Sequence, residues 1–212
     1  MNIRGAIFDL DGTLTDSMYI WQKAPVDLVR RYGGDPPEDL ARDLKEMGRR
    51  EAAEYLRDRF ALSATPEELM DTLNDLVTEE YRSRVPVKPG ADRLLARLAD
   101  SGISCCIATA SEAFQARSAM ERLGLWQHFR FAVSCVQYGG KTRPDIYLEA
   151  ARRLGTAPGE TVVFEDALHA ARTAHEAGFR VCGVWDASAE EDQAAIQDLA
   201  DWYVRDLGDW EP

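Results

Sequence analysis

The stretch Ile7-Phe8-Asp9-Leu10-Asp11-Gly12-Thr13-Leu14-Thr15-Asp16 decides how the rest of the chain is read. Ahead of Asp9, Ile3 to Phe8 is apolar apart from one Arg and one Gly, which predicts a buried strand. That strand delivers two carboxylates, Asp9 and Asp11, and the Gly and Thr after them break the pattern into a turn. Residues i and i+2 of a strand share a side, so the two acids are expected to project together from the strand end. Like charges held that close repel, and the usual remedy is a hard cation taking oxygen ligands. Taken alone, Asp-x-Asp-Gly also fits a calcium loop or an ordinary acidic turn. The remainder of the chain has to choose.

Length and composition narrow the choice. A chain of 212 residues with 45% hydrophobic content makes one medium domain, or a core with a smaller inserted module. The net charge of −12 and a pI near 4.7 argue against a nucleic-acid backbone or an anionic membrane as partner. Small phosphorylated molecules stay open, because a bound cation and a few local basic groups can invert the field at one site. Cys105, Cys106, Cys135 and Cys182 lie in apolar runs without metal-type spacing and read as reduced core cysteines. There is no signal-type apolar segment at the N-terminus and no run long enough to span a bilayer. The expectation is a soluble cytoplasmic protein.

From about Asp16 to Arg84 the pattern is helical throughout. Asp16 or Ser17 can cap a helix that carries Tyr19, Ile20, Val26, Leu28 and Val29 and stops at Tyr32-Gly33-Gly34. Pro25 falls within it and is expected to kink or divide it. A helix around Glu38 to Lys45 and another from Arg49 to Phe60 come next. Thr65-Pro66-Glu67-Glu68 then opens a fourth with a cap, a Pro at the first helical position and acids in the first turn. Beyond Val87-Lys88-Pro89-Gly90 helices and strands alternate. Strands are expected over Ile103 to Ala108, Phe129 to Val133, Thr161 to Phe164, Arg180 to Trp185 and, at the edge, Trp202 to Val204. Helices are expected over Ala91 to Ala99, from Ser111 to Leu123, from Pro144 to Leu154, from Asp166 to Ala177 and near Glu190 to Ala200. This predicts an α/β fold: a doubly wound parallel-sheet (Rossmann-like) core, residues 1–15 and 86–212, with an inserted all-helical cap domain, residues 16–85. In such a core, ligands sit beyond the carboxyl ends of the strands.

Four strand ends therefore converge as one candidate site. The first bears Asp9 and Asp11. The second, Ala108-Thr109-Ala110-Ser111, places a hydroxyl and backbone amides before a helix N-terminus, a natural anion cradle, although Ser111 could equally be an N-cap. The third, Gly139-Gly140-Lys141-Thr142-Arg143-Pro144-Asp145, puts a Lys just before a helix. The fourth, Val162-Val163-Phe164-Glu165-Asp166, is an apolar strand ending in two acids.

In order and spacing these four resemble the signature motifs of the haloacid dehalogenase-like (HAD) hydrolase superfamily, over essentially the whole chain. Lys141, Pro144-Asp145-Ile146-Tyr147 and Glu165-Asp166 are most similar to its β-phosphoglucomutase and phosphoglycolate-phosphatase-like branch, which carries a helical cap. The resemblance implies that Asp9 is the nucleophile, forming an aspartyl-phosphate, and Asp11 the general acid and then base. It implies Mg²⁺ between the Asp9 carboxylate, the Asp11 backbone carbonyl and Asp166, with Glu165 auxiliary at the metal. Thr109 and the amides of Ala110 and Ser111 would hold the phosphoryl oxygens, and Lys141 would neutralise Asp9 and the transferring group. An acid at position 11 argues against the dehalogenase branch, which needs no proton donor there. In the cap, Arg49 or Arg50 falls where the mutase grips the non-reacting phosphate. Trp21 stands where the mutase has a His, which favours hydrolysis over mutase chemistry. Tyr19 and Trp21 read as packing groups, and His128, His169 and His175 as structural or surface residues. The expected protein is a Mg²⁺-dependent phosphatase of a small phosphorylated metabolite of the sugar or polyol type, monomeric or weakly dimeric. A phosphosugar mutase and a phosphate-binding protein without turnover are the alternatives.

Overall fold

The computed structural model describes residues 2–44 and 47–211. Strand β1, Gly5–Phe8, is buried at every position because it is paired on both sides. A strand so enclosed cannot alternate apolar with polar, which is why Ile3 to Phe8 reads as a nearly continuous apolar run. The chain then enters a helical segment with α1 (Tyr19–Arg31), α2 (Ala41–Leu44), α3 (Arg49–Phe60) and α4 (Pro66–Ser83). It returns to alternation with α5 (Ala91–Asp100), β2 (Ser104–Thr109), α6 (Ala113–Arg122), β3 (Phe129–Ser134), α7 (Asp145–Leu154) and β4 (Thr161–Glu165). The series ends with α8 (Leu168–Glu176), β5 (Arg180–Val184), α9 (Gln193–Leu199) and β6 (Trp202–Val204). Five parallel pairings give one six-stranded sheet in the order β3-β2-β1-β4-β5-β6. Two compact units result, residues 1–16 with 85–212 and residues 17–84.

In the sheet unit, alternate residues of β1 feed opposite layers. Ile7 packs with Cys106, Val163 and Val181 beneath Ile146, Tyr147 and Ala150 of α7 and Ala171 and Ala174 of α8. Phe8, on the other face, stacks on Phe164 with ring centroids 4.4 Å apart, and Phe164 meets Trp210 edge-on at 5.4 Å. Trimming Phe8 to Ala would cost about 3–5 kcal/mol, the range for opening an aromatic-sized hole in a core. All four cysteines are buried thiols in this unit.

The 17–84 unit has its own core of Val26, Leu28, Val29, Leu40, Leu56, Leu62 and Leu69. Its α4 begins as the sequence predicts. The Glu68 amide donates to Thr65 Oγ1 at 3.2 Å, and the Thr65 amide donates to Glu68 Oε2 at 2.8 Å, with Pro66 at the first helical position. Three expectations are corrected. Pro25 does not divide α1, which runs unbroken from Tyr19 to Arg31. Its missing N–H removes one bond of the ladder, and the buried flank of Ala24, Val26, Leu28 and Val29 holds the helix through that gap. The helix expected around Glu38 to Lys45 is described only over Ala41–Leu44, with 38–40 forming a turn in which the Leu40 amide donates to the Pro37 carbonyl; Lys45 lies outside the described residues. The last helix, expected near Glu190, begins at Gln193, because the chain first makes three-ten turns within Ala187–Asp192 that are broken by the non-helical Ala189.

Candidate active site

The parallel register fixes which loops meet. Phe8 lies opposite Ile107 of β2 on one side and Phe164 of β4 on the other. The residues just past each strand therefore emerge side by side at the carboxyl edge. Asp9 continues the ladder for one more bond, its amide donating to the Phe164 carbonyl at 3.0 Å. The chain then turns sharply: the Leu14 and Thr15 amides both donate to the Leu10 carbonyl, and the Gly12 amide donates to the Thr15 carbonyl. Gly12 has φ of +80°, and a Cβ there would fall 2.4 Å from Asp166 Oδ2. Conformation and close approach both exclude a larger residue.

Lys141 is brought in by the loop after β3, where Gly139 and Gly140 both adopt positive φ, and it is only 8% exposed. Its ammonium donates to Asp9 Oδ1 and, at 2.6 Å, to Glu165 Oε1. The Tyr147 hydroxyl, from α7, donates to the same Glu165 oxygen at 2.8 Å. Glu165 closes β4 and is wholly buried, and its Oε2 accepts no hydrogen bond from the described residues. Asp166 is next in the chain; its Oδ1 accepts from the Thr13 hydroxyl at 3.0 Å. Carboxylate oxygens of Asp9, Glu165 and Asp166 lie within 4.8 Å of one another.

Three buried carboxylates thus surround one ammonium. Burial pushes the Asp9 carboxyl well above its usual range; Lys141 opposes this, and Glu165, Asp166 and Asp11 add to it. Burial, then Glu165, pushes Asp166 up to about 7 against the pull of Lys141 and Thr13. For Lys141 burial works to lower the value, but Asp9 and Glu165 outweigh it and hold the ammonium charged. The cluster is short of positive charge, its donors are oxygens only, and one buried carboxylate oxygen lacks a partner among the described residues. That set fits a hard divalent cation.

The loop after β2 departs from expectation. Ser111 is not the cap of α6. That place belongs to Glu112, whose amide donates to Gln115 Oε1 at 3.1 Å. The Ser111 hydroxyl instead donates to Asp11 Oδ2 at 2.7 Å, and the Ser111 amide donates to Thr109 Oγ1 at 2.9 Å. In this structure, then, that amide is turned to Thr109 rather than outward to an anion. Thr109 is fully buried at the end of β2, and Ala110 is exposed beside it. Asp11 is half-buried, and its carboxylate stands with Ser111 rather than in the Asp9, Glu165 and Asp166 group.

Arg49 and Arg50 belong to the other unit, both exposed at the start of α3. Arg50 donates to Glu67 at 2.6 Å and Glu54 at 3.1 Å. Tyr19 there donates its hydroxyl to Glu80 at 3.1 Å, and Trp21 is half-buried. His169 and His175 are exposed on α8, and His128 is half-buried. Two members of the carboxylate network went unassigned from sequence. Thr13 reads there only as a turn residue, and Tyr147 only as part of the Pro144-Asp145-Ile146-Tyr147 resemblance, with no role of its own. Their one signal is that each is a buried hydroxyl obliged to find a partner.

The chain is similar to several known proteins. Hexitol phosphatase A of Escherichia coli (strain K12) is 32% identical over 185 residues, which cover 87% of this chain and 84% of that protein. A phosphorylated carbohydrates phosphatase of Thermotoga maritima is 28% identical over 184 residues, covering 86% of this chain and 85% of its own. The crystal structure of a candidate β-phosphoglucomutase from Thermotoga maritima superimposes with a TM-score of 0.83 at 25% identity, covering 97% of this chain and 95% of that one. The family model of the haloacid dehalogenase-like hydrolases matches residues 6–184, from the middle of β1 to the end of β5. With that match spanning every strand whose end contributes to the carboxylate cluster, the chain belongs to the haloacid dehalogenase-like hydrolases.

Proposed function

We propose that this chain is a Mg²⁺-dependent phosphatase that releases phosphate from a small phosphorylated metabolite, of the sugar or polyol phosphate type, through an aspartyl-phosphate on Asp9. Its class, a phosphoric monoester hydrolase, accords with the family and with the phosphatase names of its relatives. The observation that carries the mechanism is the Lys141 ammonium donating to Asp9 Oδ1 inside a buried group of carboxylates. A nucleophilic carboxylate has to approach a dianionic phosphoryl group, and the fixed lysine charge lowers that repulsion where solvent cannot.

Asp9 attacks phosphorus in line with the leaving oxygen, and Asp11 protonates that oxygen and then takes a proton from the attacking water. Thr109 and the loop amides of Ala110 and Ser111 hold the phosphoryl oxygens; Ser111 does so after its amide leaves Thr109. Asp9, Asp166 and the Asp11 carbonyl hold Mg²⁺, with Glu165 supporting it. When bound, the ion supplies the missing positive charge and polarises the phosphoryl group. Lys141 and Tyr147 keep Glu165 in place by donating to its Oε1. Arg49 and Arg50 are the proposed contacts of the substrate's distal part, Arg50 by exchanging its glutamate partners for the ligand. A cytoplasmic setting and a monomer or weak dimer belong to the same proposal.

The likeness to a candidate β-phosphoglucomutase keeps one second reading, a mutase that returns the phosphoryl group to the substrate. Both are tested by phosphate release from a panel of sugar, polyol, nucleotide and glycolate phosphates with Mg²⁺, with EDTA, and with Asp9→Asn. Metal-dependent release that vanishes in Asp9→Asn supports the phosphatase. Isomerised phosphosugar without free phosphate would replace it with the mutase. Folded protein with neither activity would leave a phosphate-binding protein.

A further inference from the structure

We infer that Ser111 is the positioning residue of the general acid: its hydroxyl fixes which oxygen of Asp11 carries the proton to the leaving group. This rests on the reading of Asp11 as acid and base. Ser111 is 1% exposed and sits in the loop after β2, a hundred residues from its partner in sequence. A serine immediately before a helix ordinarily spends its hydroxyl on the helix amides. Here the Glu112 amide is served by Gln115 and the Ser111 amide by Thr109, so the Ser111 hydroxyl is released to reach across from the β2 loop to the β1 loop. It donates to Asp11 Oδ2 at 2.7 Å, the short range of a hydrogen bond to a carboxylate.

A protonated carboxyl has two unlike oxygens, one that accepts and one that donates. With Oδ2 accepting from Ser111, the proton of Asp11 is placed on Oδ1. As the Asp9 oxygen forms its bond to phosphorus, the bond from phosphorus to the ester oxygen breaks and its electron pair stays on that oxygen. The Oδ1 proton passes to it, the alcohol leaves neutral, and Asp11 is left as a carboxylate. That carboxylate then removes the proton from the water that displaces Asp9 from phosphorus. The Ser111 hydroxyl touches neither phosphorus nor the leaving oxygen in these steps and acts only through Asp11.

The alternative is that the Ser111 hydroxyl matters because it holds the phosphoryl group. The two differ in leaving-group dependence. 4-Nitrophenyl phosphate and phenyl phosphate carry the same phosphoryl group on rings of similar shape, but only the more basic phenolate gains much from a proton. Single-turnover rates of the Mg²⁺-loaded wild type, Ser111→Ala and Asp11→Asn are measured on both. General-acid help is worth about 10²–10⁴-fold, so loosening the acid should remove a part of that. Ser111→Ala is expected to lose about tenfold more on phenyl than on 4-nitrophenyl phosphate. Asp11→Asn is expected to show the same bias more strongly, and Ser111→Ala added to it to produce no further bias. Equal losses of Ser111→Ala on the two esters, beside a biased Asp11→Asn, would overturn the positioning role and leave Asp11 as the acid. An unbiased Asp11→Asn would overturn the acid assignment, and the inference about Ser111 with it. Thermal melting of Ser111→Ala separates misfolding, which slows both esters alike, from the predicted bias.

Discussion

Two buried lysines stand on the carboxyl edge of the same sheet, and they are held in opposite ways. Lys88 donates to Asp186 Oδ2 at 2.6 Å and to the Trp185 carbonyl at 3.0 Å. The other oxygen of Asp186 accepts from the Ser188 amide at 2.8 Å and its hydroxyl at 2.6 Å. One charge meets one charge, and both carboxylate oxygens have donors. Lys141 instead serves two carboxylates with a third close by, and Glu165 Oε2 is left without a donor among the described residues. The closed pair is what a fold builds to tie the turn before α5 to the end of β5. The unbalanced one is what a fold tolerates only where something else arrives to complete it. Charge balance, more than burial, is what distinguishes the two lysines, and it agrees with the proposed reactive role of Lys141.

Removing each lysine should break the comparison along that line. Lys141→Gln is expected to lower kcat by about 10²–10³-fold, the size of loss seen when a single charge-stabilising donor is removed, and to lower the melting temperature as well, because Asp9 and Glu165 lose their countercharge. Lys88→Met should cost about 3 kcal/mol in denaturant unfolding, because the buried Asp186 loses its countercharge, while the rate stays within a small factor of wild type. If Lys88→Met proves as inactive as Lys141→Gln, the division between the two sites is wrong. Mg²⁺ sharpens the contrast. At a hundred times its dissociation constant it should stabilise the protein by about 2.7 kcal/mol, read as a rise in melting temperature, and that rise should disappear in Asp166→Asn and persist in Lys88→Met.

The smallest effect is one of pH. Burial acts to raise the Asp186 carboxyl, but the hydrogen bonds from Lys88 and Ser188 outweigh it and hold it below its usual value. A carboxyl lower in the folded than in the unfolded chain stabilises above the unfolded value, about pH 4, and loses that contribution as pH falls through the folded value. The stability gap between wild type and Asp186→Asn should therefore be constant near neutrality and narrow below about pH 4. A gap that widened on acidification would show that burial prevails.

Most of this was legible in the sequence, because the residues that matter stand at strand ends, and strands are written as apolar runs. Asp9, Lys141, Glu165 and Asp166 are each found by looking just past the end of an apolar run or just ahead of a helix. Ser111 shows where that method stops. A hydroxyl before a helix has the same spelling whether it caps or reaches elsewhere, and only the Glu112 and Gln115 pairing decides it. Lys88 is spelled as an ordinary loop lysine, and its partner lies ninety-eight residues away. Arg50 is likewise claimed by Glu67 across the contact of α3 with α4, a pairing that no local pattern encodes. Local sequence specifies which groups are available; the three-dimensional packing specifies which of them are already taken.

The place of β1 in the middle of the sheet has a consequence for how the protein comes into being. Made as residues 5–8, it has no strand beside it until β2 at Ser104–Thr109, and its other edge stays open until β4 at Thr161–Glu165. At a ribosomal pace of about 5–20 residues per second, those unpaired backbone edges wait on the order of ten seconds for their neighbours. During synthesis β1 is a sticky, unpaired segment, and early truncation of the chain should yield aggregation rather than a smaller working enzyme. Asp9 emerges more than a hundred residues ahead of Lys141, Glu165 and Asp166, the groups that surround it.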